Sequence, residues 1–394
     1  MRGLHSPSSG ADEAGGLSPQ EMKRSTALSE LIRTEIDAAP DSMISFARFM
    51  ELALYEPNLG YYRQAPDRPT RRGDFLTAPE THPVFGWTLA RRVEEMWAKL
   101  DHPDPFCLIE FGAGSGALAL SIIEGLRRHG SGLAEAIRYE PVETNEHARA
   151  DISHRFDEAG LAGRLIAPDR PAPRTGIVIA NEFLDALPVH RVVMRRGELK
   201  ELFVGWREGP VLLSARPSTP DLAERLAADA VTLAEGQVAE ICLELEPWLA
   251  EVAGRLHRGY AIVIDYGSAT AELYGPRHLA GTLLGYRAHR VAHDPLANIG
   301  LTDLTAHVDF TAVERLASAA GFEPVRFETQ SRFLLGAGLE QELQAIQASP
   351  QTTLDEYLRT RSAIVRLLDP RHMGRFGVLT LGRNLEHRQA DPAG

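Results

Sequence analysis

The segment Glu110-Phe-Gly-Ala-Gly-Ser-Gly116 joins a short apolar run, Cys107-Leu-Ile109, to a helix-periodic run over 117–128. Glycines after a strand let the backbone turn sharply and approach a ligand closely. Gly112, Gly114 and Ala117 also satisfy the dinucleotide spacing G-x-G-x-x-G/A, so spacing alone leaves two cofactor classes open. Two features separate them. Glu110 stands two positions before the first glycine, where a carboxylate would oppose a pyrophosphate but suits a ligand carrying an ammonium and a sulfonium. Gly116 gives the tighter G-x-G-x-G form. Both favour S-adenosylmethionine; the bland alternative is a structural βα turn.

The next strand should end in an acid for the ribose hydroxyls. Tyr139-Glu-Pro-Val-Glu-Thr-Asn145 offers Glu140 and Glu143. Pro141 cannot donate to a ladder, which puts the strand end near it. Glu143 is the preferred ligand, and Glu140 the surface acid.

A third acidic segment, Asn181-Glu-Phe-Leu-Asp-Ala-Leu-Pro188, follows a fourth apolar strand. In an α/β sheet the loops at the strand ends meet in one crevice, so this loop should lie beside the reacting group. Glu182 and Asp185 could hold a guanidinium by paired hydrogen bonds. Such an acceptor is a poor nucleophile, because its pKa is about 12.5–13.8. The alternative is that Asp185 caps a short helix and Glu182 is solvated. Asp265, after the fifth strand, could contact the acceptor or cap the following turn. Asn181 is expected on the cofactor. Gly73, Asp74, Thr77, Pro79 and Glu80 lie in a loop expected to fold over the cofactor and exclude water. His289 and His293 have helical spacing but no evident third ligand, so no metal site is expected. His307 reads as a structural hydrogen-bonder beside a helix start.

These residues need strands to position them. Apolar runs predict strands at Cys107–Ile109, Ala136–Tyr139, Arg164–Ala167, Gly176–Ala180 and Tyr260–Ile264, then at Val325–Phe327 and Phe376–Leu381. Alternation with helices implies an α/β Rossmann-like core: a mostly parallel sheet with helices on both faces. Period-two alternation over 191–217 predicts a small antiparallel meander. Thr311-Ala-Val-Glu314 fits a capping box for a later helix, and Ser45 fits an N-cap for Phe46–Leu54. The expected organisation is a disordered tail (1–25), an N-terminal helical unit with the cofactor-covering loop (26–104) and a core (105–190 and 258–394). The core carries a loop on the substrate side (267–308), and 191–257 forms an insertion of meander plus helix.

Composition bounds the partners. The 394 residues are 44% apolar, enough for a large core, and carry a net charge of −12. An acidic surface repels phosphate backbones, which argues against general nucleic-acid binding. No run of about 18 apolar residues exists, so no membrane span is expected. Cys107 and Cys242 are far apart in sequence, consistent with a reducing compartment. The first residues lack a secretory or transit pattern, so a cytoplasmic location is expected.

Several longer motifs resemble one family. They are Tyr55-Glu-Pro-Asn-Leu-Gly-Tyr-Tyr62, Gly73-Asp-Phe-Leu-Thr-Ala-Pro-Glu80, the glycine turn, Asn181–Pro188, Ile264-Asp-Tyr-Gly267, Gly281-Thr-Leu-Leu284 and Leu301–Phe310. Together, over about Ser45 to Arg383, the chain resembles the MidA-like methyltransferases, whose mitochondrial members are arginine methyltransferases assisting assembly of respiratory complex I. The family often carries Gly-Pro-Gly and an Arg in the glycine turn, where Ala113 and Ser115 stand here. The resemblance implies a class I methyltransferase core, S-adenosylmethionine as cofactor and a protein arginine as acceptor, such as one on a complex I subunit. Competing readings are a methyltransferase for a small molecule and an assembly chaperone that binds the cofactor without turnover. A nicotinamide-dependent oxidoreductase is disfavoured by Glu110. Sequence alone leaves the oligomeric state open.

Overall fold

The computed structural model describes residues 17–63, 82–166, 172, 174–287, 290–292 and 294–385. The loop residues Gly73, Asp74, Thr77, Pro79 and Glu80, together with His289 and His293, lie outside them.

The core is a six-stranded sheet: β1 (Phe106–Phe111), β2 (Ile137–Val142), β3 (Arg174–Asn181), β4 (Leu256–Asp265), β5 (Glu323–Thr329) and β6 (Gly377–Arg383). Their order across the sheet is β5-β6-β4-β3-β1-β2. Neighbours among β2, β1, β3 and β4 are parallel. β6 is antiparallel to both β4 and β5, so it alone is reversed.

Side-chain alternation explains why both faces are covered. Phe106 and Leu108 of β1 point into one apolar cluster; Cys107, Ile109 and Phe111 point into the other. Ile177 and Ile179 of β3 divide from Val178 and Ala180 in the same way. Strands buried on both sides read as continuous apolar runs, which is how they looked in the sequence. Helices Val84–Lys99 and Ala117–Arg128 cover the first face, and helices Leu245–Arg255 and Phe310–Ala319 the second.

From β1 the chain moves outward to β2, then crosses back to β3 on the other side of β1. That reversal opens a crevice at the carboxyl ends of β1 and β3, where ligands bind in open α/β sheets. The glycine turn and the Asn181 loop flank it.

Several local expectations need correction. Of the strand expected at Arg164–Ala167, the described residues form none: Ala162–Arg164 is a 3-10 turn, and Leu165 makes an isolated bridge to Tyr139. The strand end does lie near Pro141, one residue past it. β2 runs through it to Val142, because β2 is an edge strand on which a missing N–H is tolerated. The tail does not extend to residue 25. Ser18 and Glu21 form a reciprocal capping box with proline at the first helical position, and the helix runs Pro19–Ala38. The late helix begins at Phe310 with Asp309, not Thr311, as its cap. Ser45 caps helix Phe46–Tyr55 as expected, accepting from the Arg48 N–H at 3.1 Å.

The meander exists as strands His190–Arg195, Glu198–Trp206 and Pro210–Ala215. It gains Met43–Ser45 and Val238–Ile241, giving a five-stranded antiparallel sheet. The N-terminal region therefore contributes a strand as well as helices. Leu28, Ile32, Phe46 and Phe49 bury against Val204 of that sheet and against Ile299 and Leu304. The weakly periodic stretch after β4 is also more ordered than its pattern: Leu284–Arg287, Arg290–Ala292 and Asp303–Thr305 form a three-stranded sheet. Among the described residues, no helix is long and apolar enough to cross a membrane.

Candidate functional site

A cleft of about 610 Å³ opens at the β1/β3 reversal. One wall is the glycine turn. Gly112, Gly114 and Gly116 have φ of 65°, 51° and 71°, the left-handed region where side chains are strained. Gly112 and Gly114 line the cleft. A Cβ on Gly112 would also meet the Phe183 ring at 2.8 Å, so this position has no room for one. Gly116 is not among the cleft-lining residues. It starts helix Ala117–Arg128 and packs against Ile152, so its part is the turn itself.

Glu110, at the end of β1, is 5% exposed and lines the same cleft. The Tyr139 hydroxyl donates to it at 2.6 Å. Burial raises its pKa to about 8, a shift the Tyr139 bond moderates and the Glu143 charge reinforces. The site thus holds a carboxyl group whose ionisation a cationic ligand would favour.

The two ribose candidates part company. Glu143 lines the cleft just past β2 and accepts from the Gly114 N–H at 2.9 Å and the Asn145 N–H at 2.8 Å. Glu140 is 1% exposed and paired with Arg174 and Arg255, each at 2.6 Å. Those ion pairs tie β2 to β3 and to helix Leu245–Arg255, so Glu140 is not the surface acid expected of it.

The opposite wall is the loop after β3. Asn181, Glu182 and Asp185 all line the cleft. Glu182 has a φ of 50°, a strained setting for a side chain of its size. Its N–H donates to the Ile264 carbonyl at 2.8 Å, and its Oε1 accepts from Asn181 Nδ2 at 3.2 Å. Asp185 is 5% exposed; burial pushes its carboxyl up to about 6, against a hydrogen bond from Tyr266. Its Oδ1 and the Asn181 Oδ1 are buried with no hydrogen-bond partner among the described residues.

Asp265 does not reach the cleft. It is fully buried beneath this loop, where its Oδ2 accepts from the N–H groups of Phe183, Leu184 and Asp185 at 2.9–3.2 Å. Its Oδ1 accepts from Tyr266 N–H at 2.9 Å. Neither expectation describes it fully: only the Tyr266 N–H belongs to the turn that follows, and the other three donors belong to the loop after β3, whose backbone donors Asp265 satisfies. Burial and the nearby Asp185 and Glu182 charges raise its pKa well above the usual carboxylate range.

Sequence reasoning missed a third wall. Tyr55, Tyr61, Tyr62, Tyr266 and Asp303 also line the cleft, and Phe111, Phe183 and Trp248 form an aromatic cluster within it. Tyr55 stacks on Tyr62 with centroids 5.5 Å apart, and Tyr62 meets Tyr61 edge-on at 5.0 Å. The Tyr55 hydroxyl donates to the Ala186 carbonyl at 2.9 Å, and the Tyr62 hydroxyl to Asp303 Oδ1 at 2.6 Å. Burial above all, with Asp185 and Asp303 nearby, pushes both phenols up, so they remain neutral donors. The signal was the motif Tyr55–Tyr62, which carried a resemblance but no assigned role.

His307 lies outside this cleft. Its ring packs on Tyr266 and His278, and burial lowers its pKa to about 4. Among the described residues, no group of three or more His, Cys, Asp or Glu is placed to hold a metal ion.

Three comparisons bear on this geometry. A family model described as "Putative S-adenosyl-L-methionine-dependent methyltransferase" matches residues 88–328. The Danio rerio protein named "Protein arginine methyltransferase NDUFAF7, mitochondrial" is 27% identical over 384 residues, 88% of this chain and 86% of that one. Its Homo sapiens counterpart is 26% identical over 374 residues, covering 86% and 80%. The crystal structure of a Burkholderia thailandensis protein bound to S-adenosyl-homocysteine matches with a TM-score of 0.85 at 32% identity, covering 94% of this chain and 96% of that one.

Proposed function

The chain belongs to the family of S-adenosyl-L-methionine-dependent methyltransferases, and from that premise we propose that it methylates an arginine guanidinium of a protein substrate. The observation that carries this reading is the charge of the acceptor side of the cleft. Glu182, Asp185 and Asp303 face it among tyrosines, and no Lys or Arg of the described residues lines it. Such a wall suits a cation. The names of the curated relatives support the same acceptor. The strand order, with β6 alone reversed, supports a class I Rossmann-like core.

S-adenosylmethionine is the cofactor, and the residues present fit it. The cleft is large enough for a nucleoside ligand, its glycine turn presents bare backbone at Gly112 and Gly114, and its walls hold buried oxygens without partners among the described residues. Glu143 would hold the ribose hydroxyls, and Glu110 with Asn181 the charged amino-acid end. When bound, the cofactor supplies an electrophilic methyl group on a sulfonium.

The remaining work belongs to the chain. Glu182 and Asp185 orient a guanidinium by charge-assisted hydrogen bonds, and orientation supplies much of the rate in a two-reactant step. Replacing a guanidinium N–H by N–CH₃ keeps the methylguanidinium charge and releases one proton. Asp185, a cleft-lining residue with its carboxyl near 6 and one buried oxygen without a partner among the described residues, receives it. Tyr266 holds Asp185 in place.

The test is incubation of the purified protein with methyl-labelled cofactor and unmethylated cell protein, followed by complete hydrolysis and amino-acid analysis. Label in methylarginine is expected. A complex I subunit, implied by the family resemblance, is the first target to try. Label in another amino acid, or only in a small molecule, overturns the arginine acceptor; cofactor binding with no label in any fraction favours the chaperone reading.

A further inference from the structure

Resting on that reading, we propose that Asp303 is a further carboxylate for the acceptor guanidinium, held in position by Tyr62, and that this pair selects a cation over a neutral side chain.

Asp303 opens the short strand Asp303–Thr305, paired antiparallel with Leu284–Arg287. It is 7% exposed yet lines the cleft. The strand lies beside the turn that carries Asp185, and the two are tied by the Ala306 N–H donating to the Asp185 carbonyl at 2.9 Å. Tyr62 bridges the same region from the N-terminal side. Its hydroxyl donates to Asp303 Oδ1 at 2.6 Å, its carbonyl accepts from Asn145 Nδ2 at 2.7 Å, and its ring stacks on Tyr55. Tyr55 in turn donates to the Ala186 carbonyl. One frame therefore holds both carboxylates, Asp185 and Asp303, against a wall of aromatic rings.

A pair of buried acids could be structural only. The independent observation is Asp185 Oδ1, which has no hydrogen-bond partner among the described residues and belongs to a side chain 5% exposed on the same cleft. Buried polar oxygens are almost always paired, so an unpaired one at a cleft wall marks where a ligand donates. A guanidinium brings five N–H donors in a plane, enough to serve more than one carboxylate. Tyrosine faces also attract the cation. A neutral acceptor brings no positive charge to these carboxylates, whereas a guanidinium does. Asp303 would touch the acceptor; Tyr62 acts through Asp303 and is a positioning residue.

The test uses the full chain and two synthetic probes: an adenosine thioether bearing an alkylguanidine arm, and the matched alkylurea. Affinities are measured by calorimetry for the parent, Asp303→Asn, Asp303→Glu and Tyr62→Phe, with S-adenosyl-homocysteine as the control ligand. The parent should prefer the guanidine. Asp303→Asn should lower that preference about tenfold or more, the loss of one hydrogen bond to a charged group, while the control affinity holds. Asp303→Glu should restore part of it. Tyr62→Phe should lower it less, and this variant carries the test if Asp303→Asn does not fold. An unchanged preference in Asp303→Asn or, failing that, in Tyr62→Phe makes Asp303 structural and leaves the arginine reading standing. A parent without preference for the guanidine removes both.

Discussion

The Tyr139 hydroxyl of β2 donates across to the Glu110 carboxylate of β1 at 2.6 Å, with both side chains buried beside the glycine turn. The bond holds an acid that burial has made reluctant to ionise, its pKa raised to about 8. A raised carboxyl pKa favours the folded state when protonated. Below the unfolded pKa that contribution is complete; it is lost as pH rises toward about 8. Glu110→Gln imitates the protonated form and keeps an acceptor for Tyr139. It should melt like the parent at pH 4 and be more stable by roughly 2–4 kcal/mol at pH 9. S-adenosylmethionine affinity should fall about tenfold in the same variant, the loss of a hydrogen bond to a charged group. Thermal melts against pH with calorimetry decide this. Tighter cofactor binding by Glu110→Gln would remove the acid from cation recognition.

Gly114→Val places a β-branched side chain at a φ of 51° on the cleft wall. Nothing but the Gly112 carbonyl, 3.9 Å away, stands near its Cβ, so the damage is to the ligand's space and the backbone angle. S-adenosyl-homocysteine binding should disappear, with a stability loss of about 1–3 kcal/mol. Equal affinity in parent and variant would move the cofactor elsewhere.

Glu143 and Glu140 should separate cleanly. Glu143→Ala should weaken cofactor binding by about 1.5–3 kcal/mol and change stability little. Glu140→Ala leaves Arg174 and Arg255 without their buried partner, so it should cost about 3–5 kcal/mol of stability. Cofactor affinity in the protein that remains folded should be near the parent's. The reverse ranking of affinities would make Glu140 the ribose ligand.

Asp185 and Asp265 sit on opposite sides of one loop and should fail differently. Asp185→Asn and Glu182→Gln keep size and lose charge, so turnover on a protein substrate should fall roughly 100-fold or more while cofactor affinity holds. In the parent, kcat/KM should rise with pH through about 6, where Asp185 in the free protein gives up its proton, and Asp185→Asn should lose that limb. Asp265→Ala should instead lower the melting temperature, because four backbone N–H groups lose their acceptor. Full turnover by both cleft variants would dismiss the carboxylate clamp.

Much of this protein was legible in one dimension because the sheet is buried on both faces. β1, β3 and β4 are apolar runs bounded by glycine or acid, and the positive φ of Gly112 and Gly114 is what their residue type permits. The glycine turn and the Asn181 loop could be paired in advance, since the ends of parallel strands share one crevice. The meander over 191–217 declared itself by period two.

What sequence could not assign depends on contacts between distant segments. Glu140 and Glu143 are three residues apart with the same chemistry; only the packing of Arg174 and Arg255 buries one and leaves the other on the cleft. Asp265 and Asp185 both lie at the ends of core strands, and only the fold of the loop sets one carboxylate against backbone amides and the other on the cleft wall. Tyr62 and Asp303 are separated by 241 positions, and neither has a local pattern that suggests a partner. Chain order sets what each residue can do by type and by its immediate neighbours. Which of two like residues is desolvated, paired or aimed at the cleft is decided by chain that returns from far away, and so by tertiary structure alone.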